Sequence, residues 1–243
     1  MNRLVSWPIA RATVRARRRS VVLWFVGIVF AIAGALGATR EGAGIETFSG
    51  PAAVWFALLT FAFGSGILSE EIESGHAQLV LLRPLSRSAW YGGRLAGAWL
   101  SVAIFCVVAW AATFAVAVSR GDGFDPMRFA ALGLALLWCA AWLSVLACLS
   151  AFLPSWTNAG ALIVAALFWT FLIGIVGVVR PALLPFLQAV TRYLGPQDPL
   201  VLVDRTRPRL DFGPALYDVV WLFAAWLAGI VILNRRELAR RRA

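Results

Sequence analysis

The apolar positions of this chain come in long, uninterrupted blocks. They show neither the alternation of a half-buried strand nor the narrow stripe of a surface helix. Six blocks stand out: Val21–Thr39, Pro51–Leu68, Leu95–Val118, Phe129–Phe152, Ala159–Val179 and Pro214–Leu233, of 19, 18, 24, 24, 21 and 20 residues. A hydrocarbon layer ~30 Å thick is crossed by ~20 helical residues. Lipid offers the backbone no hydrogen-bond partners, so stretches this apolar must close their bonds internally as helices. The pattern predicts an all-α integral membrane protein of six transmembrane helices, forming one domain over residues 1–243.

Two shorter patterns lie outside the blocks. Pro8 suits the first turn of a helix. Behind it Arg11, Arg15, Arg18 and Arg19 share one helical face, with Ile9, Ala10 and Val14 elsewhere on the wheel. This predicts an interfacial helix resting on anionic lipid of the inner leaflet. Between the fifth and sixth blocks, "RPALLPFLQAVTRYL" brings Leu183, Leu184, Leu187, Val190 and Leu194 near helical spacing. Broken by Pro181 and Pro185, it is too short to span, and reads as an outer amphipathic segment, interfacial or partly re-entrant. A Pro-punctuated connection then returns the chain to the last block.

Composition sharpens this picture. The chain is 61% hydrophobic, 14% charged and carries a net charge of +10, with arginine as its sole basic residue apart from one histidine. In a soluble protein that charge would suggest nucleic acid. Here the arginines cluster at block ends and set orientation instead. With six spans, fourteen arginines fall on the side of the termini and eight on the other, five of the eight in the long loop 180–213. Basic residues favour the cytoplasmic side, so both termini are expected in the cytoplasm. The first block has the basic front of a secretory signal, yet five further spans follow, which favours an uncleaved anchor.

Candidate chemistry is sparse. Asp218, four residues inside the sixth block, is the single acid or base within the spans. We expect a solvated helix start there, with a polar point on a translocation path as the weaker alternative. A proton- or ion-driven transporter needs a titratable group or ion cage near the midplane, and a channel needs a polar filter. Neither is visible. His76, the one histidine, has no metal-ligand spacing around it. Cys106, Cys139 and Cys148 lie in apolar blocks without CxxC spacing and read as packing residues. No catalytic set and no metal site emerge. A P-loop requires a lysine, which this chain lacks, so any ATP hydrolysis must come from another subunit.

The stretch "GILSEEIESGHAQLVLLRPLSRSAWYGGRLAG", Gly66–Gly97, falls between the second and third blocks on the cytoplasmic side. Glu70, Glu71 and Glu73 are followed by Gly75, where the chain can bend. Leu79, Leu81 and Leu82 form an apolar patch far too short to cross lipid. Arg83, Pro84 and Arg87 end it, proline being unable to continue a helix. An apolar patch flanked by charges suits a coupling helix that docks on a soluble partner.

Those residues resemble the signature loop of ABC-2-type ABC transporter permeases. The matching positions are Glu70, Glu71, Glu73, Gly75, Leu79, Leu81, Leu82, Pro84, Ser86, Arg87, Gly93 and Arg94. His76 stands where the family commonly has threonine, and Arg94 where it commonly has lysine. The resemblance implies a multi-pass permease of a bacterial plasma (inner) membrane, acting as an exporter. It implies a separate P-loop ATPase partner holding ATP and magnesium, with no cofactor in this chain. It also implies a second permease copy or a paralogue, giving twelve spans. Membrane lipids are expected partners; nucleic acid is not. The scarcity of polar span residues hints at an amphiphilic or apolar cargo. Two other readings stay open: an interfacial enzyme acting on a lipid through Glu70, Glu71, Glu73 and His76, and a scaffold that holds a soluble partner without transport.

Overall fold

A computed structural model describes residues 5–37, 51–77, 85–119, 121, 127–154, 157–191, 193–197 and 212–235. Among them every regular element is helical. They are α1 (Trp7–Arg18), α2 (Val21–Gly37), α3 (Pro51–Gly64), α4 (Ser69–Glu73), α5 (Arg87–Ser119), α6 (Met127–Ser150), α7 (Thr157–Val179), a single 3₁₀ turn (Pro181–Leu183), α8 (Leu184–Thr191) and α9 (Phe212–Arg235). Four helices, α5, α6, α7 and α9, are long and apolar enough to cross a membrane. The described parts of α2 and α3 run to 17 and 14 residues of apolar sequence. The end of the first expected span, and much of the outer connection to the last, lie outside the described residues.

Helices α5 and α6 form the centre. Helices α2 and α3 pack on one side of the pair and α9 on the other, while α7 and α8 sit at the margin. Packing without a hydrophobic drive between helices relies on small residues that let backbones approach. On α5 the buried face reads Ala98, Val102, Cys106, Ala109; on α6 it reads Ala131, Ala135, Cys139, Leu143, Ala147. Cys106 and Cys139 are free thiols buried in these faces, and Cys139 Sγ lies 3.0 Å from Thr60 Oγ1 on α3. Gly229 of α9 lies against the hydroxyl end of Tyr91 on α5.

Two helix ends differ from the expected span limits. The second block was expected to stay helical to Leu68, but α3 stops at Gly64 and the chain turns over 65–68. Gly66 has φ +64°, a backbone state that favours glycine. The third block was expected to begin at Leu95, but α5 begins at Arg87. Its 33 residues make it about 50 Å long, well beyond one hydrocarbon thickness.

Helix α1 does not rest free of the bundle. The Ser6 amide donates to the Ala89 carbonyl, Ile9 lies over Gly93, and Ala10 and Thr13 lie over Gly97. The contacts advance together, so α1 runs alongside α5 in the same direction. Ala10 and Thr13 are buried at this contact, whereas Arg11, Arg15, Arg18 and Arg19 are exposed. At the far margin α8 folds back antiparallel along α7, where Trp169 Nε1 donates to Thr191 Oγ1 at 2.8 Å.

Asp218 is fully buried and not a solvated helix start. Its Oδ1 accepts the Gln197 amide at 2.8 Å, and Tyr217 donates to the Tyr193 carbonyl at 2.7 Å, so α9 grips the returning chain at 193–197.

The glycine seat gives a direct test. A Cβ at Gly97 would stand 2.7 Å from the Ala10 carbonyl oxygen and 2.5 Å from Thr13 Cβ, and a backbone atom cannot swing away. At Gly133 the same atom meets nothing within 4 Å. Gly97→Ala should destabilise by ~1–3 kcal/mol. Gly133→Ala should be neutral or stabilising by ~0.5–1 kcal/mol. Unfolding midpoints in detergent check both, and equal midpoints would remove α1 from this seat.

Candidate functional site

The end of the bundle where α3 stops and α5 starts is built around the "FGSG" turn. A helix leaves its last carbonyls without intrahelical donors, and a membrane protein must satisfy them from elsewhere. Here distant side chains do so. Asn158, fully buried at the start of α7, donates Nδ2 to the Gly64 carbonyl at 3.2 Å. The same amide reaches the Leu146 carbonyl at 3.2 Å and Ser150 Oγ at 2.6 Å on α6. Arg17, from α1, donates Nη2 to the Ser65 carbonyl at 3.2 Å. One amide and one guanidinium thus cap α3 and tie it to α1, α6 and α7.

Beyond the turn, the side chain of Glu70 folds back over Gly66. A Cβ on that glycine would stand 2.5 Å from Glu70 Oε1. Burial pushes the Arg17 pKa down, while the Glu70 charge raises it and offsets part of that cost. Glu71 pairs with Arg94 on α5 and accepts Trp90 Nε1 at 3.2 Å. Arg94 also donates Nη1 to Thr13 Oγ1 at 3.0 Å, and the Thr13 hydroxyl in turn donates to the Ile9 carbonyl at 2.9 Å. The paired Arg94 and Glu71 side chains are 15% and 23% exposed. Two arginines and two glutamates from α1, α4 and α5 therefore meet in one cluster, half-buried except for the exposed Glu70.

The other residues singled out from the sequence are placed as follows. Glu73 is exposed. Gly75 has φ +76° and open space around it, so glycine serves the backbone there. His76 is exposed, with Nδ1 2.9 Å from Ser74 Oγ. Arg87 donates to the Leu233 and Asn234 carbonyls at 3.0 and 3.2 Å, placing a cation on the C-terminal end of α9. Leu79, Leu81, Leu82, Arg83 and Pro84 lie outside the described residues. No group of three or more metal-ligating side chains occurs among the described residues.

Sequence reasoning singled out neither Arg17 nor Thr13. A signal was present, because Ala10, Thr13 and Arg17 fall at i, i+3 and i+7 and form a small-residue face ending in a cation. Only its partner, the Gly93–Gly97 seat, was out of local reach.

Compared with known families, residues 38–238 match the ABC-2 family transporter proteins. The chain belongs to that family. The match takes in α3 through α9 and the whole glutamate segment, and so makes the chain a transmembrane subunit of an ABC transporter. Helix α1, with Thr13 and Arg17, lies before the matched stretch. A comparison with curated proteins gives no match.

If the ion pair joins α4 to α5, Glu71→Gln and Arg94→Gln should each lower the unfolding midpoint, and the double variant should lose less than the two losses added. Side chains in such contact couple by about 0.5–3 kcal/mol. Strict additivity in detergent melts would show that the pair does not couple the two helices.

Proposed function

We propose that this chain is the membrane-embedded half of an ABC exporter. In this reading α2, α3, α5, α6, α7 and α9 are its six spans, both termini face the cytoplasm, and two permease subunits line the path. A separate P-loop ATPase docks on the segment Glu70–Arg87 and supplies the energy. The observation that carries the reading is the Glu71–Arg94 pair within the cluster that joins α1, α4 and α5. A force applied at the glutamate segment would reach the start of a long span and the N-terminal helix together, as coupling requires. Family membership supports the same reading, since an ABC-2 permease works with an ATPase subunit.

The apolar patch after Gly75 is the proposed anchor. Leu81→Asp or Leu82→Asp would put an unpaired charge into a desolvated contact, and losing such an anchor costs ~2 kcal/mol or more, a factor of roughly 30 in affinity. Both variants should insert normally yet fail to retain the ATPase in a pull-down from native membranes. Glu73→Gln, a rim change, should keep affinity and alter mainly its salt dependence. Retention of a fully stimulated ATPase by both leucine variants would remove this segment as the docking site.

Orientation is tested separately. A reporter active only outside the cell, fused after Ala243, should stay silent. Activity there would mean that a span is miscounted or the orientation reversed.

A further inference from the structure

Where α1 ends, a crevice of about 230 Å³ opens among α1, α2, α3 and α5. Its walls are Leu23 and Trp24 of α2, Phe63 of α3 and Ile104 and Phe105 of α5, with Arg17 and Arg18 at the α1 end. The aromatic wall is well defined. Phe105 meets Trp24 edge-on at 5.3 Å and lies 5.6 Å from Phe63, and Trp24 Nε1 is held by the Arg18 carbonyl at 2.7 Å. Trp24 and Ile104 remain substantially exposed, so the crevice opens sideways to the bundle's surroundings and not into the helix core.

The volume is below the roughly 300 Å³ at which pockets start to hold whole small molecules, so it suits a segment of a longer apolar chain. The charge is one-sided. The last turn of α1 carries Arg15, Arg17 and Arg18, Arg19 follows, and α1 contains no acidic residue. Glu70 acts on Arg17 from the α4 side, whereas Arg18 has no carboxylate partner among the described residues. An apolar slot beside a cation that no carboxylate of the described residues pairs with fits a ligand with an acyl tail and an anionic head.

We infer that the α1–α2–α5 crevice is a selective site for one anionic phospholipid of the inner leaflet, with an acyl chain against Phe63 and Phe105 and the phosphate at Arg18. This deepens the reading above, since it rests on α1 facing the cytoplasmic leaflet. The site makes the lipid a structural ligand of the same corner where Arg17 caps α3, so lipid charge reaches the inner-end cluster directly.

Full-length protein is placed in phosphatidylcholine nanodiscs containing a fixed fraction of brominated phosphatidylglycerol. A second set contains the same fraction of brominated phosphatidylcholine. Quenching of the Trp24 component, taken as the difference between the wild type and Trp24→Phe, reports the crevice alone. We expect phosphatidylglycerol to quench with about fivefold higher apparent affinity, the contribution of one arginine near anionic lipid. Arg18→Gln should erase that preference. Ile104→Phe, which narrows the slot, should weaken quenching by both lipids. Arg11→Gln, an exposed charge on the same helix that does not line the crevice, should leave the preference intact. Equal quenching by both lipids in the wild type would mean ordinary boundary contact and overturn the site. Absence of quenching would mean that protein fills the slot, and would overturn the site equally. Loss of preference in Arg11→Gln as large as in Arg18→Gln would assign the effect to diffuse surface charge. Orientation is read independently from Arg11→Cys, with an impermeant maleimide applied to inverted and right-side-out vesicles. Labelling from the outer face would sink the placement of α1, whereas inner-face labelling without lipid preference would sink only the lipid site.

Discussion

The pairing of Glu71 with Arg94 is the contact on which the α3–α5 turn end of this molecule depends. A guanidinium buried as deeply as that of Arg94 carries a heavy desolvation cost unless an anion and hydrogen-bond acceptors meet it. Glu71 supplies the anion and Thr13 the acceptor, so two separate pieces of chain are drawn to one residue of α5. Trp90, buried beneath, holds the carboxylate from its other side. Once that cluster exists, the chain between α3 and α5 must leave α3 early enough to bring Glu71 back to the bundle. The left-handed turn at Gly66 achieves this reversal.

The second constraint is steric. Helices α1 and α5 come close enough for backbone and side chain to touch only because Gly93 and Gly97 lack Cβ atoms. At Gly93 the obstacle would be the Ser6 carbonyl, 2.8 Å away. The charged cluster and the glycine seat support each other. The seat brings Thr13 within reach of Arg94, and the hydrogen bond fixes the register of α1 along α5. Neither glycine is explained by its own neighbours in sequence; both are explained by what lies across the interface.

How far the fold was legible in the sequence follows from where its determinants lie. Long helices could be read because lipid leaves an apolar run no alternative, and Val179, the end of α7, was read correctly for that reason. The end of α3 was not, because the Gly64 carbonyl is capped by Asn158, 94 residues away, and the Ser65 carbonyl by Arg17, 48 residues away. Within the site, Glu70, Glu71 and Glu73 were legible as an acidic run beside an apolar patch, which is a local pattern. The division of labour among them was not. Glu71 pairs inward, Glu70 covers a glycine and Glu73 is exposed, and that sorting depends on which helix each meets. Asp218 was misread for the same reason. Its depth along the helix suggested water, while the chain returning through Gln197 closes over it.

The length of α5 has a mechanical consequence. It is one continuous helix of 33 residues, about 50 Å from end to end, with Arg87 anchored to the foot of α9 and Arg94 clamped to the glutamate segment. Such a rod is a lever whose short arm carries both attachments. A tilt of about ten degrees around the clamp would carry the distant end sideways by roughly 6 Å over the remaining 25 residues, at 1.5 Å per residue. That is more than half the usual spacing between packed helix axes, about 8–10 Å. A displacement at the foot too small to break the ion pair would therefore be amplified into a gap at the opposite face.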